Sequence, residues 1–355
     1  DPIRIGNSSP LTGALAYQGE QEQNGIRLAI QEINAKGGVL GRPLEVVSED
    51  NKCNPTEAVS AASRLLERRV SVLLGAHCSS ATIASMPLVQ NAKIPLVTPI
   101  STNPKITEAT GKDGNDWVFR LNPSDAMLAD AIGAYISEAG TIKKVAIVAE
   151  DTDYGRGGAD ALRKKAESAG IAIISVDHFP LQQPDFTPIL TRIQLRGAEA
   201  VAIYMSLPDQ LNFFRQFQQV GGKAKFTGRV ELGGKHLPDL LKSGVLEGAS
   251  SVFPYSPQLD TPENNRFVAT FKQRFGEEPI YAAAASYEAV YVIADAIRRA
   301  GASDPAAIQA ALKKTNYKSM LGIDISFDEK NQAHNVAIIL QVKDGRVQVV
   351  SLRRT

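Results

Sequence analysis

Short apolar runs alternate with longer amphipathic stretches along most of this chain. Residues 3–7 read as a first strand. Ile26, Ile30 and Ile33 then fall at i, i+4 and i+7, one face of a helix that stops at Gly37-Gly38. A second strand is predicted over 44–47. Asn54-Pro55-Thr56-Glu57 follows, supplying an N-cap, a first-turn proline and an acid at the third helical position. That helix runs to about Arg68, and strands at 70–74 and 95–98 flank a helix over about 80–92.

The alternation restarts after Arg120. Helices are predicted over 125–139, 155–169, 188–196 and 209–220, interleaved with strands at 144–149, 171–176 and 200–205. Two such runs predict an α/β fold with two doubly wound parallel-sheet lobes and right-handed crossovers. Helices at 263–275, 282–300 and 305–315 suit the outside of a lobe that already exists. Residues 336–342 and 347–352 flank Asp344-Gly345, a two-residue hairpin signal, and are expected to return to the second lobe. The lobes are then 1–121 with 254–329, and 122–253 with 330–355. Three crossings join them, near 121–124, 253–256 and 327–331.

A chain of 355 residues is too long for one ordinary core, which also favours two lobes. Its 39 basic and 38 acidic residues are dispersed, so no basic face exists for nucleic acid or an anionic membrane. No apolar run approaches the roughly 20 residues that span a bilayer. The chain opens Asp1-Pro2-Ile3 directly into a strand, as a processed N-terminus would. The two cysteines, Cys53 and Cys78, sit in polar loops after two predicted strands expected to be neighbours. They read as a disulfide, which favours an oxidising compartment; two separate thiols are the alternative.

In open α/β sheets, ligands sit at the carboxyl ends of the strands. Four loops there carry candidate chemistry: residues 9–13 continuing through Tyr17, Cys78-Ser79-Ser80, Thr98-Pro99-Ile100-Ser101-Thr102, and residues 151–155 with Tyr154. Ser79 opens a helix, where unpaired N–H groups and the helix dipole favour an anion. Ser79 or Ser80 as a plain N-cap, and Thr102 as a turn residue, are the simpler alternatives. Tyr17 and Tyr154 read either as pocket walls or as ordinary exposed tyrosines.

No catalytic or metal pattern emerges, and no cofactor is expected. His77, His178, His236 and His334 are dispersed, and no zinc, P-loop or Gly-x-Ser-x-Gly pattern exists. Gly155-Arg156-Gly157 imitates a dinucleotide turn, but Asp160 occupies the third glycine position. Asn7-Ser8-Ser9 matches a short glycosylation acceptor pattern directly after the strand start.

Taken in order, these residues resemble the leucine/isoleucine/valine-type solute-binding proteins of ABC transporters, which have the type I periplasmic-binding fold. The resemblance rests on Pro10-Leu11-Thr12-Gly13, on Gly25 through Gly38, on Gly41, and on Cys53 with Cys78-Ser79-Ser80. It continues through Pro95 to Pro99 with Thr102, Ala146 to Gly155, and Ser286-Tyr287. It implies that Ser79, the backbone of Ile100 and the hydroxyl of Thr102, with Ser101 between them, hold a ligand carboxylate. Tyr17, Tyr154 and Tyr281 correspond to aromatic walls. Glu231 corresponds to the acceptor of an amino group, about one residue later than the family position. Ser206 stands where the family has a tyrosine.

The resemblance implies a non-enzymatic, exported, periplasmic monomer. It would capture a small carboxylate-bearing solute, most simply a hydrophobic amino acid, by lobe closure and deliver it to a membrane permease. Binding of an aromatic or aliphatic acid without an amino group, or a sensory role, are the alternatives.

Overall fold

The structure is a computed structural model describing residues 1–355. The chain begins with β1 (Ile3–Ser9), α1 (Ala16–Ala35), β2 (Leu44–Asp50), α2 (Pro55–Glu67) and β3 (Val72–Leu74). It continues through α3 (Ser79–Ala92), β4 (Leu96–Thr98), α4 (Pro104–Ala109) and β5 (Val118–Arg120). A second run holds α5 (Asp125–Ala139), β6 (Lys144–Glu150), α6 (Asp153–Ser168), β7 (Ala172–Phe179), α7 (Thr187–Leu195) and β8 (Ala200–Tyr204). It closes with α8 (Leu207–Gln219), β9 (Lys225–Gly228), α9 (Leu237–Ser243) and β10 (Ser250–Phe253). Then come α10 (Pro262–Phe275), α11 (Tyr281–Ala300), α12 (Pro305–Leu312), β11 (Tyr317–Lys318) and β12 (Asp324–Ile325). The hairpin β13 (Val336–Lys343) and β14 (Arg346–Arg354) ends the chain.

These elements form two compact units, Asp1–Ser124 with Leu259–Asn335, and Asp125–Gln258 with Val336–Thr355. The chain passes between units after Ser124, Gln258 and Asn335. The second and third passages lie beyond the 253–256 and 327–331 segments expected from the sequence; at the third, Arg120 and Gln332 form a β-bridge that keeps residues up to Asn335 with the first unit.

In the first unit the parallel sheet runs β2-β1-β3-β4-β5. One face of β1 and β3 packs Ile3, Ile5, Val72 and Leu74 against Ile26 and Ile33 of α1 and Ile293 and Ile297 of α11. The opposite face buries Leu73, Leu96 and Val118 against Leu65 of α2 and Met86 and Val89 of α3. Burying each such side chain stabilises the fold by roughly 1.5–3 kcal/mol. Close contact of α1 with α11 requires Gly25, where a Cβ would lie 2.1 Å from the carbonyl oxygen of Ala283. Asn54 caps α2 by accepting from the N–H groups of Thr56 and Glu57, with Pro55 in the first turn, as its four-residue signal predicts.

In the second unit the parallel sheet runs β7-β6-β8-β9, the same second-first-third-fourth winding. Val145, Ile147 and Ala149 of β6 pack with Leu128, Ile132 and Ile136 of α5 and Leu162 of α6. Phe179, Phe186, Phe213 and Phe226 form a chain of edge-on rings. The terminal hairpin forms around Asp344-Gly345 and pairs through β13 with β10 as a separate antiparallel sheet. The sequence pattern did not signal β5, α4 or β10, which have three, six and four residues, too few to show a period.

Candidate functional site

In the first unit, the candidate residues gather at the carboxyl ends of β1, β3 and β4. Cys53 and Cys78 form a disulfide with Cα atoms 5.6 Å apart. Their parent strands β2 and β3 are not neighbours, because β1 runs between them; the loops meet beyond the end of β1. Cys78 occupies the N-cap position of α3 and gives no side-chain cap bond, so neither serine acts as the cap residue. Ser79 is the first helical residue, fully buried, and its hydroxyl oxygen accepts from the backbone N–H of Asn103 at 3.2 Å. That bond joins the start of α3 to the turn after the adjacent strand β4.

The turn itself is fixed on several sides. Ser101 Oγ donates to the carbonyl of His77 at 2.7 Å and shares a 2.7 Å bond with Thr82 Oγ1. Tyr281, the first residue of α11, is buried and donates its hydroxyl to the carbonyl of Pro99 at 2.7 Å. Ile100 and Thr102 are buried in the same turn. Tyr17 lies in the first turn of α1, not in a loop, and donates to Glu277 Oε2 at 2.5 Å. Gln21, one turn on, bonds both the Tyr17 hydroxyl and the N–H of Ile280, which links Tyr17 to the start of α11.

One feature of this half went unread in the sequence. Glu22 of α1 is buried, accepts from Ser9 Oγ at 2.8 Å, and pairs with Nδ1 of His77. The residue before Cys78-Ser79 is thereby anchored to α1. A separation of 55 residues leaves no local signal for such a pair.

In the second unit, Tyr154 lies in the first turn of α6, and Ser206 is the residue before α8. Glu231 follows β9, with its N–H bonded to Gln210 Oε1 of α8 at 3.0 Å. All three therefore belong to the carboxyl ends of β6, β8 and β9. Buried Glu150 accepts from the hydroxyl of Thr152 at 2.7 Å and from the N–H of Ser206 at 2.9 Å, connecting two of these loops. Burial raises its carboxyl above the usual range, against those two hydrogen bonds. Asp151, by contrast, is exposed and paired with Arg156 at 2.6 Å.

Arg229 separates the end of β9 from Glu231 and was not singled out by sequence. It is buried, with Nη1 3.0 Å from Asp125, itself inaccessible at 0%. Its guanidinium lies 4.3 Å from the ring centre of Phe253 and 5.8 Å from that of Tyr154. Planar, delocalised arginine suits such stacking better than lysine would. Burial raises the hydroxyl pKa of Tyr154, partly offset by the charge of Arg229. The hydroxyl of Tyr204, whose ring packs 6.2 Å from that of Tyr154, is buried without a hydrogen-bond partner.

The remaining sequence motifs resolve structurally. Asn7 is fully buried within β1, so the glycosylation pattern is not an acceptor. Gly155 permits close approach of α6 to β6, where a Cβ would lie 1.9 Å from the carbonyl oxygen of Glu150. No group of three His, Cys, Asp or Glu side chains is placed to hold a metal ion, and no helix is long and apolar enough to cross a membrane.

Known proteins place this arrangement. The chain is 29% identical over 335 residues to a leucine-, isoleucine-, valine-, threonine- and alanine-binding protein of Pseudomonas aeruginosa, covering 94% of this chain and 88% of that protein. Among solved structures it is similar to the branched-chain amino acid transporter substrate-binding protein LivJ of Streptococcus pneumoniae in complex with isoleucine. That match has 26% identity, a TM-score of 0.89 and complete coverage of both chains. It is equally similar to an ABC-transporter solute-binding protein of Rhodopseudomonas palustris in complex with 3,4-dihydroxybenzoic acid, at 26% identity and TM-score 0.88, covering 100% of this chain and 97% of that one. The profile of one family, periplasmic binding protein, matches residues 2–346, and the chain belongs to that family.

Proposed function

We propose that this protein is the extracytoplasmic solute-binding component of an ABC importer, and that its solute is a hydrophobic amino acid. The reading is one of capture and delivery to a membrane permease, without catalysis. The observation that carries it is the fixed junction of α3 with the turn after β4. Ser79 and the buried residues Ile100 and Thr102 are drawn together there by the Ser79–Asn103 bond and the Tyr281 strut. The helix start contributes N–H groups and a favourable dipole for one carboxylate. Ser79, the N–H of Ile100 and Thr102 hold that carboxylate, and Ser101 keeps the turn in shape. Tyr17 and Tyr154 flank the side chain of the solute, and capture draws the two units together over it.

Glu231 receives the α-ammonium, and Ser206 lies beside it. An ammonium taken out of water needs an acidic partner, and Glu231 is the acid at the carboxyl end of β9, its N–H held by Gln210 of α8. The amino acids named for the Pseudomonas relative and the isoleucine bound by the Streptococcus protein support this choice. A second reading, an aromatic acid without an amino group, draws on the guanidinium beside Tyr154 and on the dihydroxybenzoate bound by the Rhodopseudomonas relative.

Calorimetry of L-leucine and L-phenylalanine against their des-amino analogues tests both readings. Ser79→Ala and Thr102→Val should each weaken every ligand about tenfold or more, the loss of one charge-assisted hydrogen bond. Glu231→Gln should impair the amino acids far more than the des-amino acids. Equal losses for both classes remove Glu231 from recognition, and unchanged affinity in Ser79→Ala and Thr102→Val moves the carboxylate elsewhere.

A further inference from the structure

We propose that Arg120 is a positioning residue that ties the turn at 99–103 to two chain segments at the unit boundary, 121–124 and 332–335, so that the three hold one shape together. Arg120 ends β5 and is 1% exposed. Its Nη1 donates to the carbonyl of Asn103 at 2.6 Å and to that of Ser101 at 3.5 Å, and its Nη2 donates to Thr107 Oγ1. Its Nε donates to Gln332 Oε1 at 2.8 Å. One side chain thus grips the turn, the helix that follows it, and the segment in which the chain returns toward the second unit.

The other members of the network close the circuit. Gln332 Nε2 donates to the carbonyl of Asn122 at 2.8 Å, and Asn122 Nδ2 donates back to the carbonyl of Ser101 at 3.0 Å. Asn335 Nδ2 donates to the carbonyl of Leu121 at 2.8 Å, and the N–H of Leu121 donates to the carbonyl of Thr98 at 3.0 Å. Residues 121–124 and 332–335 are the last of the first unit before two of the three passages. A guanidinium presents five donors in a fixed fork, so it sets the relative positions of its acceptors as no single ammonium does. A turn held in its binding shape beforehand avoids the ordering cost at the moment of binding.

This inference rests on the reading that the turn at 99–103 receives the solute carboxylate, and its test has a readout independent of any solute. Hydrogen exchange by mass spectrometry is followed in peptides covering 99–103, 121–124 and 332–335, with β1 and β2 as reference, in wild type, Arg120→Lys and Thr107→Val. Exchange should rise in all three segments together while the reference stays protected. L-leucine affinity should fall about tenfold in Arg120→Lys and by less in Thr107→Val. A uniform rise through the whole unit, or a rise confined to one segment, overturns the proposal, as does unchanged L-leucine affinity in an Arg120→Lys protein whose turn has loosened. Should Arg120→Lys not fold, Thr107→Val, at a partly exposed position, decides by the same segment pattern. A coupled rise in the variants, with a wild type that binds neither L-leucine nor L-phenylalanine, would uphold the network and refute the amino-acid reading instead.

Discussion

The first unit presents hydroxyls and backbone N–H groups at the carboxyl ends of its strands, each fixed by a buried neighbour. At the same ends of an equally wound sheet, the second unit presents an arginine, carboxylates and rings. The difference suits two tasks. On the reading proposed above, a carboxylate common to a whole class of solutes would be met by hydroxyls, backbone N–H groups and a helix start. On the same reading, what distinguishes one solute from another would be met by the charge and shape of the second unit.

The largest expected effect breaks the second half of the comparison. Asp125→Ala leaves the Arg229 guanidinium buried without its countercharge and should cost about 3–5 kcal/mol of stability, read by urea unfolding. The paired replacement Asp125→Leu with Arg229→Met should cost much less, because it removes both desolvation penalties at once. A loss below about 1 kcal/mol in Asp125→Ala would mean that the pair is solvated and not part of a charged, dry group.

A pH experiment probes the first unit away from its candidate residues. Glu288 of α11 is buried, and burial pushes its carboxyl up to about 7, although Ser319 Oγ and the N–H of Met320 favour the charged form. The folded protein therefore holds this proton more tightly than the unfolded chain, whose glutamates titrate near the ordinary value of 4.5. The associated stability is complete below that value, is lost as pH rises through about 7, and amounts to about 3 kcal/mol. Unfolding titrations should show this decline in wild type and not in Glu288→Gln. An identical pH profile in the two proteins would place the Glu288 carboxyl in contact with water.

The smallest effect sharpens the idea of a fixed cradle. Tyr281→Phe removes only the hydroxyl that supports the carbonyl of Pro99 and should cost about 1 kcal/mol. Exchange should increase at the turn after β4 and not at Tyr154 or Ser206. Unaltered exchange at that turn would show that its shape does not depend on α11.

Local chemistry was legible where a short stretch carries its own cause. The Asn54-Pro55-Thr56-Glu57 cap, the isoleucine stripe of α1 and the Asp344-Gly345 hairpin each depend on neighbours within a few residues. The disulfide was also legible, though for an incomplete reason, since β1 separates the two parent strands. Tyr154 was read as a loop residue because helix starts blur by a residue or two, and Tyr17 because the apolar stripe that marks α1 begins only at Ile26, ten residues after the helix does.

The sequence by itself determined the alternation of strand and helix, the two-unit organisation, and which loops carry hydroxyls, aromatics and acids, because periodicity and turn chemistry act over short distances. Only the tertiary structure decided the pairings that give those residues their character. Arg229 meets Asp125 across 104 positions, Arg120 meets Gln332 across 212, and Glu22 meets His77 across 55. Burial and electrostatic partnership are properties of points in space, and residues this far apart in the chain come together only when the sheet has been assembled.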